Sequence, residues 1–179
     1  MPFIETKISG VVIFEPRIFT DDRGYFFETY NEKVFKEAGI DVNFVQDNQS
    51  KSSYGVIRGL HFQKGEHAQA KLVRVLQGSV LDVAVDLRKG SPTFGKHVAV
   101  ELSDVNNLQL FIPRGFAHGF SVLSKTAVFA YKCDNVYCKE AEGGISCADP
   151  DLEIDWQIPV EDALLSEKDK VLPRLKECF

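Results

Sequence analysis

The sequence predicts an all-β fold, a barrel or sandwich of short strands with a few short peripheral helices. Three observations carry that expectation. Leu81, Val83, Val85 and Leu87 alternate with Val80, Asp82, Ala84 and Asp86, the period of a strand. Turn-forming residues cluster between such segments, as in Arg88-Lys89-Gly90-Ser91-Pro92 and Asp104-Val105-Asn106-Asn107. Long helical patterns do not alternate with the strands, which disfavours a parallel α/β arrangement.

In chain order, strands are expected over residues 10–14, 72–76, 79–87, 97–102, 108–112, 120–123 and 126–132. Asn31 is placed to cap a short helix through Ala38, with Gly39 as its stop. Ser166-Glu167-Lys168-Asp169 reads as the capping box of a second helix, whose length Pro173 limits. The polar run Gln46-Asp47-Asn48-Gln49-Ser50 reads equally well as a loop. Repeats, low-complexity tracts and Pro/Gly/Ser-rich linkers are missing, so residues 1–179 are expected to form one domain.

Composition narrows the function classes. Hydrophobic residues are 44% and charged residues 26% of the 179, ordinary for a soluble globular chain. The net charge of −5 argues against a nucleic-acid surface, which needs a basic face. It leaves room for a small anionic ligand held by a local positive cluster. No apolar run approaches the roughly 18–20 residues of a membrane helix, and the N-terminus has no secretory pattern. Cys133, Cys138, Cys147 and Cys178 fit no zinc or redox spacing and are read as reduced thiols. A cytoplasmic protein is expected.

Two segments set a histidine among glycine and apolar residues: Arg58-Gly59-Leu60-His61-Phe62-Gln63 and Pro113-Arg114-Gly115-Phe116-Ala117-His118-Gly119-Phe120. His67 and His97 lack that setting and read as surface residues. Pro113-x-Gly115-x-x-His118 resembles the second motif of the cupin superfamily, which implies a jelly-roll β-barrel. A metal-binding cupin carries His-x-His in its first motif; here the stretch is His61-Phe62-Gln63, so one ligand is missing and no metal is expected. Strict alternation would send Arg58 and His61 to opposite faces. They share a pocket only if Gly59 marks a bulge or bend. Tyr131 follows Phe129 and Ala127 on one strand face and reads, by position alone, as a core aromatic.

The ordered set of motifs resembles the dTDP-4-dehydrorhamnose 3,5-epimerase family. The two segments above belong to it, with Phe19-Thr20-Asp21-Asp22-Arg23-Gly24, Gln46-Asp47-Asn48-Gln49-Ser50, Ala70-Lys71-Leu72-Val73-Arg74, Ser91-Pro92-Thr93-Phe94-Gly95, Asp149-Pro150-Asp151-Leu152 and Leu165-Ser166-Glu167-Lys168-Asp169. The resemblance implies epimerisation of dTDP-4-dehydro-6-deoxy-D-glucose at C3 and C5, next to the C4 ketone, without a cofactor. It implies His61 as base, Tyr131 as acid, Lys71 as the cation at the ketone oxygen and Asp169 as the carboxylate that orients the base. Arg23, Glu28, Gln46, Asp47, Asn48, Arg58, His118, Tyr137, Glu142 and Lys168 are implied to hold the nucleotide sugar, Tyr137 by stacking on thymine. It also implies a homodimer with exchanged N-terminal strands. Asp169 keeps the alternative of a simple capping role.

Those residue types suit the chemistry. A proton α to a ketone leaves an enolate; imidazole is the natural base near neutral pH, and an ammonium stabilises the developing oxyanion. No redox change occurs, in keeping with the lack of a Gly-x-Gly-x-x-Gly fingerprint. Lys64-Gly65-Glu66-His67 lacks the prolines expected there, and Cys147-Ala148 replaces an aromatic and a polar residue. A 3- or 5-mono-epimerase or a keto-isomerase relative acting on another dTDP-keto-deoxysugar is the alternative reading. A non-catalytic sugar-binding cupin and a metal-dependent cupin oxygenase are further ones.

Overall fold

The computed structural model describes residues 2–179. Its strands are β1 (Phe3–Glu5), β2 (Val12–Phe14), β3 (Phe19–Asp21), β4 (Gly24–Phe26), β5 (Gln46–Ser53), β6 (Ile57–Gln63), β7 (Lys71–Gln77), β8 (Ser79–Asp86), β9 (His97–Ser103), β10 (Gln109–Ile112), β11 (Phe116–Val122), β12 (Thr126–Cys133) and β13 (Glu142–Gly144). Three short helices accompany them: α1 (Glu32–Glu37), α2 (Glu167–Lys170) and α3 (Leu175–Cys178). None of the described helices is long and apolar enough to cross a membrane.

The expected all-β barrel is what the chain forms. One sheet has the order β1-β2-β10-β7-β12-β5 and the facing one β13-β6-β11-β8-β9, the two-sheet arrangement of a jelly roll. The seven strands expected from alternation correspond to β2 and β7 to β12, all within a few residues except β11, which opens at Phe116 rather than residue 120. The run at 46–50 is not a loop: it opens β5, paired along its whole length with β12. The hairpin β3–β4 stands apart as a two-stranded sheet.

Packing explains why β8 is buried on both faces. Val80 and Ala84 point into the barrel, where they meet Val73, Val75, Leu110, Phe120 and Phe129 from both sheets. Leu81, Val83, Val85 and Leu87 point outward, and the C-terminal segment covers them with Leu152, Trp156 and Leu175. Each such burial is worth about 1.5–3 kcal/mol. The other sheet is covered outside by α1. Six residues are too few for a stable isolated helix, so α1 depends on its cap and its anchor. The Asn31 side chain accepts from the Lys33 and Val34 amides. Phe35 is fully buried against Val12, Phe14 and Leu72. Beyond Pro173 the chain adds α3, for which the sequence carries no periodic signal.

Two packing details position the site. Asp86 ends β8 and accepts hydrogen bonds from Arg88, Ser91 and Thr93. Burial pushes its carboxyl up, but those donors outweigh it and hold the group well below the usual carboxylate range. The Ser91–Gly95 motif is thereby a structural turn. The second detail is the contact of β6 with β11. His61 opposes His118, yet Arg58 opposes Phe120, so β6 carries one extra residue and the register shifts. A Cβ on Gly119 would stand 2.6 Å from the Arg58 carbonyl oxygen, and one on Gly59 would stand 2.7 Å from the Gly119 Cα. Glycine at both positions lets the strands cross this closely.

Candidate active site

The bulge at Gly59 does what strict alternation cannot: Arg58 and His61 line the same cavity. That cavity, about 590 Å³, opens between the two sheets. His61 and His118 come from β6 and β11, in the five-stranded sheet. Lys71 and Tyr131 come from β7 and β12, in the six-stranded sheet. Asn48 enters from β5, and Lys168 and Asp169 from α2.

Asp169 has both of the roles that the sequence left open. Its backbone N–H donates to the Ser166 side chain at 3.1 Å, which caps α2. Its side chain, 4% exposed, lies 2.7 Å from His61 Nε2. The Gly59 amide donates to the second carboxylate oxygen at 3.4 Å. The carboxylate fixes the ring and leaves the other ring nitrogen of His61 as the basic one.

Electrostatics differ around the cavity. Burial lowers the Lys71 ammonium from its ordinary range, while Cys133 and Asp82 oppose that shift. Among the described residues Lys71 forms no ion pair; its ammonium lies 5.6 Å from the centroid of the Tyr131 ring. Burial raises the Tyr131 phenol, Cys133 adds to the rise, and Arg58 opposes it. Tyr131 is therefore a protonated donor at neutral pH. Arg58 donates from Nε to the Ser52 hydroxyl at 3.1 Å, which holds the guanidinium at the cavity wall. Phe120 and Phe129 stack at 4.3 Å and form the apolar floor.

Not every expected residue reaches this cavity. Gln46 and Asn48 lie on one face of β5 and hydrogen-bond each other at 3.2 Å, but of the two Asn48 lines the cavity and Gln46 does not. Asp47 alternates to the outer face and pairs with Lys132 at 3.0 Å. Tyr137 and Glu142 do not line the cavity; they form a cluster with Lys168, which does. The Tyr137 hydroxyl donates to Glu142 at 3.1 Å, and Lys168 pairs with the same carboxylate, whose pKa it lowers. The Arg23 side chain is 91% exposed beside Asp21 on the β3–β4 hairpin, away from the cavity. Glu28 accepts from Asn31 and likewise lines no part of it. Among the described residues no three His, Cys, Asp or Glu side chains are grouped to hold a metal ion.

Sequence reasoning missed Asp82, Ser52 and Cys133. Asp82 carried a signal: it is an acid set between Val80 and Ala84 in the middle of an apolar strand. Cys133 and Ser52 carried none, being inward only once β12 and β5 are placed.

Known proteins similar to this chain include 3,5-epimerases and, at 34% identity, a 3'-monoepimerase from Streptomyces bikiniensis. The sequence model of the dTDP-4-dehydrorhamnose 3,5-epimerase family matches residues 5–177. The dTDP-4-dehydrorhamnose 3,5-epimerase of Shigella flexneri is 57% identical over 170 residues, covering 94% of this chain and 93% of the relative. The crystal structure of the dTDP-4-dehydrorhamnose 3,5-epimerase from Elizabethkingia anophelis NUHP1 superposes with a TM-score of 0.95 at 60% identity, over 98% of this chain and 96% of the other. That of the dTDP-6-deoxy-D-glucose-3,5-epimerase from Legionella pneumophila Philadelphia 1, in complex with dTDP-4-keto-L-rhamnose, gives 0.94 at 51% identity, over 97% and 92%.

The site has one chemical property that is easily measured. Burial pushes the Cys133 thiol up to about 11, against the opposing charge of Lys71. At pH 8 roughly one thiol in 10³ is then ionised, and only the thiolate reacts. Cys133 is expected to stay unalkylated in the native protein and to label fully after unfolding, read by peptide mass spectrometry. Rapid native labelling at Cys133 would contradict the packing around it.

Proposed function

The chain belongs to the dTDP-4-dehydrorhamnose 3,5-epimerase family, and we propose that it inverts C3 and C5 of dTDP-4-dehydro-6-deoxy-D-glucose, giving dTDP-4-dehydro-L-rhamnose, with the residues of the cavity between its sheets. One observation carries the assignment of roles: His61 and Tyr131 enter that cavity from opposite sheets. Inversion at carbon needs a base on one face of the sugar and an acid on the other. A pyranose lying between the sheets would have both.

The steps follow from the geometry. His61, oriented by Asp169, takes the proton next to the C4 ketone. Asp169 stabilises the imidazolium that results, as a buried carboxylate does behind a histidine base. Lys71 meets the enolate oxygen. In a cavity partly closed to water, its positive charge acts more strongly than it would in solvent. Tyr131, held protonated by burial, returns a proton from the other face. The apolar floor of Phe120 and Phe129 suits the deoxygenated, methyl-bearing edge of the sugar.

The nucleotide half is assigned to the cavity and its mouth. Arg58 and Lys168 supply cations for the diphosphate, Gln46 and Asn48 supply hydrogen bonds, and His118, across from His61, meets the sugar. Tyr137 presents its ring at the mouth for thymine, steadied by Glu142. Asp47, on the outer face, is left with Lys132.

Arg23 and Glu28 call for a second subunit. The β3–β4 hairpin is exposed throughout, with Tyr25 at 65% and Phe26 at 68%. An exposed aromatic hairpin carrying a cation fits a homodimer in which this element serves the partner's cavity.

Four outcomes are expected. With dTDP-4-keto-6-deoxyglucose in D₂O, the protein should place deuterium at both C3 and C5, read by NMR; deuterium at one carbon alone would make it a mono-epimerase. His61→Ala should lower that exchange by about 10²–10⁴-fold while dTDP still binds, and near-normal exchange would remove His61 as the base. Tyr131→Phe should slow net inversion far more than the first proton removal; an equal loss of both would leave Tyr131 a structural residue. Light scattering should give twice the chain mass in solution, with Arg23→Ala raising KM and leaving the dimer intact. A monomer of full activity would sink the shared site.

A further inference from the structure

The inward series of β8 holds two acids: Asp86 closes the strand and is paired with Arg88, whereas Asp82 in mid-strand has no Lys or Arg partner among the described residues. Asp82 sits between Val80 and Ala84 of the barrel core and is 0% exposed. Its Oδ2 lies 2.9 Å from His118 Nε2. Its Oδ1 is buried and has no hydrogen-bond partner among the described residues. A carboxylate oxygen in that state is costly unless a nearby charge offsets it.

The offsetting charge is at hand. Lys71 lies on the inward face of β7 with Val73 and Val75. The groups facing it are Asp82 from β8, His118 from β11, and Tyr131 and Cys133 from β12. Asn48 of β5 donates to Cys133, and β6 brings Arg58 and His61 to the same cavity. Asp82 is the carboxylate among the groups that act on Lys71.

We propose that Asp82 is a positioning residue of this site: one oxygen holds His118 as its Nε2–H tautomer, and the other supplies the negative charge that balances Lys71 inside the barrel. The inference rests on Lys71 being the cation at the ketone oxygen. With Nε2–H donating to Asp82, the His118 Nδ1 keeps a lone pair and accepts from a sugar hydroxyl rather than donating to it. Burial disfavours the imidazolium, which keeps the ring neutral although Asp82 opposes the shift. For Lys71 the sign is the reverse of a drain on catalysis: burial favours loss of its proton, and Asp82 favours keeping it.

Asp82→Asn tests this, since it keeps the shape and leaves an oxygen to accept from His118 while removing the charge. Lys71 then loses its proton at lower pH. The alkaline limb of kcat should move down by about one pH unit, so that above the original limb turnover is about tenfold slower, with KM unchanged. A limb at its original place in a variant that melts normally would overturn the role. The unaltered protein gives a second readout that needs no variant. Its ¹⁵N spectrum should show His118 neutral and protonated at Nε2, and a signal for Nδ1–H or for imidazolium near neutral pH would overturn the tautomer. Solvent deuterium entry catalysed by the unaltered protein separates the two levels: no exchange there sinks the epimerase reading, while normal exchange with an unmoved limb sinks only the role of Asp82.

Discussion

The close crossing of β6 and β11 is the constraint on which the site depends. A Cβ on Gly59 or Gly119 would run into the backbone of the other strand. Because both lack one, β6 can carry an extra residue without leaving the sheet. The extra residue turns Arg58 inward beside His61. The same contact sets His61 directly across from His118. Without it, the base and the cation would occupy opposite sides of one sheet, and no rearrangement of side chains would bring them together.

Each inward histidine is then backed by a buried acid from a different part of the chain. His61 meets Asp169 at 2.7 Å and His118 meets Asp82 at 2.9 Å. The supports differ in kind. Asp82 belongs to β8, the strand buried on both faces, and cannot move without disturbing the core. Asp169 belongs to α2, four residues that the barrel holds through an edge contact. Leu164 exchanges hydrogen bonds with Gly55 and Ile57, and Ser166 caps the turn that follows. The His61–Asp169 hydrogen bond adds a further tie between β6 and the segment that completes the site.

The fold was legible where one side of a strand is wet or where both sides are apolar for a simple reason. In β8 the two apolar series serve two cores, one inside the barrel and one under the C-terminal segment, and either series alone marks a strand. In β5 the pattern fails. Asn48 and Ser50 line a polar cavity and Gln46 shares their face, so hydrophobicity does not alternate although the backbone does. The site was legible through its motifs for His61, Lys71, Tyr131 and Arg58, which share one cavity. Asp47 shows the limit: its neighbours in sequence point inward, and a period of two sends it outward to Lys132. Arg23 shows another, since its place on an exposed hairpin is a statement about a surface the chain does not bury by itself.

A net charge of −5 gives no hint of a cavity that carries Arg58, Lys71 and Lys168. The reconciliation lies in how the charges are paired. Lys168 spends its charge on Glu142, and Arg58 is steadied by the neutral hydroxyl of Ser52. Lys71 has a carboxylate behind it that forms no direct bond to it among the described residues. Full pairing would quench the field that an anionic ligand needs. Full isolation would strip the buried ammonium of its proton. Partial pairing through the barrel interior leaves the charge present and facing the sugar, with the acid buried behind His118 rather than bonded to Lys71.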